Sequence, residues 1–117
     1  MNGILRELLT MSRARSVLVV KTEGTLIARA GTMESKDIET VGVLCALIYG
    51  AAQSIAASID TSLSYIHQHG DKRDLLLLRI TATSGLIIAF NGDLGLGGIL
   101  YNARRSAAEL GQILGPI

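Results

Sequence analysis

The sequence predicts an α+β fold with three layers, α/β/α: a five-stranded antiparallel sheet with one long helix on one face and two terminal helices on the other. Three observations support this fold class. The apolar patterns follow the order helix, two strands, long helix, three strands, helix. Short hairpin-type turns join neighbouring strands, which makes those strands antiparallel. Three strands are apolar on both faces, so helices must cover both sides of the sheet.

The N-terminal elements are a helix and a hairpin. Residues 4–11 place Ile4, Leu5, Leu8 and Leu9 on one side and predict a short amphipathic helix. Ser16–Lys21, with the sequence S-V-L-V-V-K, predicts a strand buried on both faces. Thr22-Glu23-Gly24 predicts a tight turn, because Gly24 can adopt a positive φ. Residues 25–30 then form the return strand.

The long helix contains twenty residues without a charge, Thr40 to Ile59. It follows a polar loop, and Ser35 or Asp37 is expected to cap it. A stretch of this length suits a membrane span or a helix covered by a second protein. Two features favour a helix that is covered by a second protein. Acidic residues flank the stretch (Asp37, Glu39 and Asp60), and both ends lack aromatic residues. We therefore expect no membrane insertion.

A helical wheel divides this helix into two faces. The bulky stripe is expected to pack on the domain's own core and comprises Ile38, Val41, Cys45, Ile48, Ala52, Ile55 and Ile59, broadened by Leu44, Leu47 and Ala51. The opposite face is small and uncharged and comprises Gly42, Val43, Ala46, Gly50, Gln53 and Ala57. Charged residues normally occupy the outer face of a helix, and their absence here predicts a contact with another protein.

The C-terminal elements are three strands and a helix. Residues 62–69 alternate polar and apolar and predict a half-exposed edge strand. Residues 75–80 and 86–90 predict two further strands, and residues 96–114 predict a helix that ends before Pro116. With no linker or internal repeat, residues 1–117 are predicted to form a single domain.

Two segments carry a resemblance to a known family. They are V-L-V-V-K-T-E-G-T-L-I-A-R-A-G early in the chain and L-I-I-A-F-N-G-D-L-G-L-G-G-I-L late in it. The Gly24 turn, the Y-I-H-Q-H-G-D segment at residues 65–71 and the D-L-G-L step at residues 93–96 add to it. In these segments and in the order of its elements, the chain resembles the Roadblock / dynein light chain superfamily, and within it the bacterial MglB-like branch.

The resemblance implies a homodimer in which the long helices lie side by side and edge strands pair. It thereby places Tyr65 and His67, on the predicted edge strand, in the dimer or partner interface together with the small helix face. It also implies a small Ras-like GTPase as partner, whose GTP hydrolysis the dimer promotes. A purely structural scaffold subunit of a motor or signalling assembly, and a small-molecule sensor with a pocket between sheet and helix, are the alternatives.

Catalytic, metal and cofactor sites are not expected. The Gly-rich segment at residues 91–98 lacks the spacing of phosphate-binding motifs, so it is interpreted as a tight entry to the last helix with Asp93 as cap. His67 and His69 could supply half of a metal site, but no third Cys or His lies near them in the sequence. Cys45 lies on the core stripe. Arg104 and Arg105 are interpreted as a solvated helix face rather than an arginine finger.

Composition limits the possible partners and the cellular compartment. A net charge of +1 and only four aromatic residues argue against a nucleic-acid partner. The single cysteine fits a reducing compartment, and the N-terminus has no apolar segment of signal-peptide length. The expected localisation is cytoplasmic.

Overall fold

The computed structural model describes residues 1–115. The elements in chain order are α1 Asn2–Met11, β1 Ser16–Lys21, β2 Leu26–Gly31, α2 Ser35–Ser58, β3 Ile66–His69, β4 Asp74–Thr81, β5 Ser84–Phe90 and α3 Leu96–Leu114, with a single 3₁₀ turn at Gly92–Leu94 before α3. The interpretation of Pro116 as lying beyond the last helix falls outside the described residues.

The five strands form one antiparallel sheet in the order β2-β1-β5-β4-β3. The N-terminal strand β1 pairs with β5 along its whole length, from Ser16 opposite Ala89 to Lys21 opposite Ser84. This pairing joins the first hairpin to the three later strands. The α+β fold with a five-stranded antiparallel sheet and three helices is therefore confirmed.

Two apolar cores lie on opposite faces of the sheet, because successive side chains of a strand point to opposite sides. The larger core, between the sheet and the α1–α3 pair, contains thirteen buried residues, among them Val17, Val19, Ile88 and Phe90. The smaller core lies under α2 and contains six buried residues: Leu18, Val20, Ile38, Cys45, Leu77 and Ile87. The long helix and the terminal helices therefore occupy opposite faces, as predicted, and the chain covers the α2 face less completely.

The edge strand β3 is shorter than predicted. Only Ile66–His69 pairs with β4, and residues 61–65 lie outside the sheet. Contacts with α3 hold this segment: Arg104 donates a hydrogen bond from Nη2 to Ser64 Oγ at 2.8 Å, and its guanidinium lies 5.6 Å from the centre of the Tyr65 ring. The alternation of polar and apolar residues could not reveal this attachment.

Both predicted helix caps are wrong. The residue before α2 is Glu34, which makes no side-chain capping bond, so Ser35 and Asp37 lie inside the first turn. Asp37 still stabilises the helix, because its charge lies near the positive end of the helix dipole. The residue before α3 is Gly95, with φ +81°, and Asp93 lies in the preceding 3₁₀ turn.

Candidate interaction surface

A contact between two glycines sets the rotation of α2 on the sheet. A Cβ atom at Gly42 would lie 2.5 Å from the carbonyl oxygen of Gly24, and a Cβ atom at Gly24 would lie 2.8 Å from the backbone of Gly42. Gly24 has φ +99°, which L side chains adopt at a cost. The β1–β2 turn therefore touches the helix backbone to backbone.

This contact turns toward the sheet a side of α2 that includes residues of both predicted faces. The buried helix residues are Ile38, Gly42, Cys45 and Ala56. The sheet face beneath already carries bulky side chains, including Leu18, Leu77 and Ile87. Short helix side chains let the helix approach these residues closely. The predicted core stripe is therefore wrong in its second half, where Ile48, Ile55 and Ile59 are 43%, 63% and 70% exposed.

Most of the large apolar side chains of α2 face outward. Eleven large hydrophobic residues are exposed in residues 1–115, and six of them lie on this helix or at its C-terminal end. We name these six residues the α2 ridge: Val43, Leu44, Leu47, Ile48, Ile55 and Ile59. The uncharged stretch of the helix contains the whole ridge. Exposed apolar side chains concentrated in this way are typical of interaction surfaces.

The residues predicted to meet a partner are divided between several environments. Gly42 is buried against Gly24, so its predicted position on the outer face is wrong. Val43 is exposed on the α2 ridge, and Ala57 is exposed near the end of the helix. Three others border a hollow between α2 and the sheet: Ala46, Gly50 and Gln53. Tyr65 is half-buried against the larger core.

Length and composition alone would also allow α2 to cross a membrane. Within residues 1–115 it is the one helix that satisfies both criteria, and it is mostly unburied. The same helix covers Leu18, Val20, Leu77 and Ile87. Its transfer into a bilayer would expose those four side chains to water, which opposes insertion.

A second feature of the structure is a cluster of His67, His69 and Asp74 on the β3–β4 hairpin. His67 Nε2 lies 2.5 Å from Asp74 Oδ2, His69 Nδ1 lies 2.9 Å from Asp74 Oδ1, and the amide of Gly70 donates to Oδ1 at 3.4 Å. The Asp74 side chain is 2% exposed. The His67 ring stacks on Phe90 at 6.0 Å. The buried carboxylate thus has hydrogen-bond partners for both oxygens, and these bonds connect the edge strand to β4.

Asp74 was not predicted from the sequence as the partner of both histidines. The sequence contained an indication of this pairing, since Asp74 follows His69 by five residues across a short turn. Strand register, which places His69 opposite Asp74, was needed to recognise it. No group of His, Cys, Asp and Glu within residues 1–115 has the arrangement of a metal site.

The Asp74 cluster predicts a dependence of stability on acid. Burial raises the pKa of Asp74, but the hydrogen bonds from His67, His69 and Gly70 outweigh burial and hold the pKa below its ordinary value of 3.8. The carboxylate therefore stabilises the fold fully above about pH 4, and this contribution is lost as the pH falls through the lowered folded-state pKa. We expect the urea midpoint of the wild-type protein to fall more steeply below pH 4 than that of Asp74→Asn. Parallel curves for the two proteins would contradict this role of Asp74.

The other residues considered for phosphate binding or catalysis have structural roles or an environment that opposes the chemistry. Gly92 packs against the Asp74 carboxylate, since a Cβ atom at Gly92 would lie 2.6 Å from Oδ1. A carboxylate in that position repels phosphate. Burial raises the pKa of the Cys45 thiol to about 11, which suppresses the nucleophilic thiolate. Arg104 holds Ser64, and Arg105 lies 3.9 Å from Glu7.

The model of the Roadblock/LC7 domain family matches residues 2–90. The chain belongs to the Roadblock/LC7 domain family.

Solved structures of low sequence identity share the fold. Myxococcus xanthus MglB is 23% identical, with a TM-score of 0.89 over 97% of this chain and 93% of that one. The gliding protein MglB from Thermus thermophilus is 20% identical, with a TM-score of 0.87 over 96% and 86%. An MglB described as having a tetrameric arrangement is 21% identical, with a TM-score of 0.88 over 96% and 85%. No curated protein matches the chain.

Proposed function

We propose that this protein is a homodimeric, non-catalytic platform that binds and regulates a small Ras-like GTPase. The observation that carries the proposal is the α2 ridge, an apolar surface that the chain leaves uncovered. The localisation proposed with this function is cytoplasmic.

The geometry of the ridge suits packing of one helix on another. Leu44, Ile48, Ile55 and Ile59 follow one another at intervals of four or seven residues, so they form a continuous stripe along the helix. A two-fold dimer presents the same stripe from both chains, and each substitution then acts twice. Burial of large apolar side chains supplies the free energy of such an association.

The outer edge of β3 is the second element of the proposed dimer. Within the described chain β3 pairs only with β4, so one row of its backbone groups has no strand partner. An antiparallel copy of the same strand would satisfy these groups and extend the sheet. His67 lies on this strand and is a predicted interface residue.

The proposal of a GTPase partner rests on membership of the Roadblock/LC7 family and on the shared fold with the MglB proteins. The α2 ridge carries no charged side chain, so it offers no group for proton transfer or for stabilising a phosphoryl transition state. Any acceleration of GTP hydrolysis would therefore arise from reshaping of the GTPase. The same absence of charge favours the second candidate, a scaffold subunit without effect on nucleotide turnover.

GTP hydrolysis by a small Ras-like GTPase from the same genome, measured with and without this protein, separates these candidates. We expect the full-length protein to accelerate single-turnover hydrolysis about tenfold, below the gain of 10³ or more that an arginine finger supplies. Arg104→Ala is expected to retain the acceleration, because this side chain holds Ser64 and Tyr65. Binding without acceleration would identify a scaffold, and absence of binding would refute the GTPase assignment.

A further inference from the structure

A hollow of about 150 Å³ lies between the second half of α2 and the sheet. Its helix wall consists of Cys45, Ala46, Tyr49, Gly50 and Gln53. Its sheet wall is largely apolar and includes Val20, Leu77, Leu86 and Ile87. A cavity of about this volume with apolar walls accommodates a molecule the size of benzene. The hollow and the α2 ridge have no residue in common.

Gly50 borders the hollow and contributes no side chain to its wall. A Cβ atom built at Gly50 would have no atom within 4 Å. The core on this face is also the smaller of the two. A larger side chain at Gly50 would therefore meet no clash, and from this border position a long one can reach across the hollow.

The charged groups around the hollow all have the same sign. Lys21 and Arg79 line it, and no Asp or Glu does. Within residues 1–115 neither cation has a carboxylate within 4.0 Å. The Arg79 guanidinium lies 5.7 Å from the centre of the Tyr49 ring. A stacked guanidinium keeps its hydrogen-bond donors available at the edge of its plane.

A wider groove continues from the hollow. The two share Tyr49, Gln53, Leu78 and Arg79. The groove adds Arg104 and the polar residues 61, 62 and 64, and it too has no acidic residue among those that line it. An apolar hollow therefore opens past Arg79 into a groove of mixed polar and apolar lining that carries positive charge.

We propose that this hollow binds a small anionic amphiphile, with its hydrocarbon portion between α2 and the sheet and its carboxylate on Arg79. Apolar walls with a few polar groups at one end are the usual composition of a small-molecule site. The guanidinium can bind a carboxylate through two parallel hydrogen bonds. The ligand is distinct from the proposed GTPase, and its binding does not depend on that assignment.

Titration of the ¹⁵N-labelled full-length protein with sodium hexanoate tests the proposal. We expect saturable amide shifts at residues that line the hollow, among them Cys45, Gly50, Leu77 and Ile87. The uncharged probe 1-hexanol should bind the same residues more weakly, since it lacks the carboxylate. Absence of saturable shifts at these amides, or shifts confined to the α2 ridge, would overturn the proposal.

Three variants test separately the apolar hollow and the contact between Arg79 and the carboxylate. Arg79→Gln should weaken hexanoate about tenfold, as loss of a charge-assisted hydrogen bond does, and leave 1-hexanol unchanged. Gly50→Leu should abolish binding of both probes. Arg73→Gln removes an exposed arginine that does not line the hollow and is the matched control. Equal hexanoate affinity in Arg79→Gln and Arg73→Gln would refute the role of Arg79.

Discussion

The substitution Leu47→Asp is expected to convert the protein from a dimer to a monomer. Leu47 is 65% exposed in the single chain, and the proposed dimer buries it. Each of the two copies would lose the burial of a leucine, about 2 kcal/mol, and would place a charge in an apolar interface. The dimer dissociation constant should therefore rise by about 10³ or more. Light scattering coupled to size-exclusion chromatography measures the change.

Tyr101→Asp provides the matched control for this prediction. Tyr101 is 66% exposed and lies on α3, on the opposite side of the sheet from α2. Its substitution introduces the same charge at an equally exposed apolar residue, and the dimer should persist. Ile55→Asp, elsewhere on the α2 ridge, should behave like Leu47→Asp. If both ridge variants stay dimeric, the ridge is not the dimer interface.

The second large effect, a loss of folding stability, is expected from Gly42→Ala. The new Cβ atom would lie 2.5 Å from the carbonyl oxygen of Gly24, and a backbone atom cannot move aside as the end of a flexible side chain can. Overpacking of this kind costs about 1–3 kcal/mol, which exceeds the gain of about 1 kcal/mol from replacing a helical glycine with alanine. We therefore expect a lower urea midpoint, measured at one fixed protein concentration because dimer stability depends on concentration.

Gly50→Ala is the control for Gly42→Ala, since both glycines lie in α2 and Gly50 is eight positions after Gly42. A Cβ atom at Gly50 meets nothing within 4 Å, so only the helix propensity changes. We expect stabilisation by about 0.5–1 kcal/mol. The two substitutions should thus have opposite signs. A stabilising Gly42→Ala would show that the Gly24–Gly42 contact is more adaptable than its distances indicate.

Much of the fold was readable from local patterns. Ser16–Lys21 and residues 96–114 have in the structure the bounds that their apolar patterns predict. These segments are long or strongly β-branched, so propensity and burial agree. The edge strand was predicted less well, because Arg104 draws the residues before Ile66 toward α3. The interaction between Asp74 and the two histidines depends on register, which local patterns do not contain.

The sequence by itself determined that α2 carries no charge on any side from Thr40 onward, which predicts cover on more than one side. The tertiary structure alone decided which side faces the domain. On an ordinary surface helix, charged residues mark the outward face, but residues 40–59 contain none, so the wheel could not distinguish two apolar faces. The contact of Gly42 with Gly24, distant in sequence, resolves this ambiguity. Gly42, Cys45 and Ala56 pack against a sheet face that carries bulky side chains, and six large apolar residues form the outward α2 ridge.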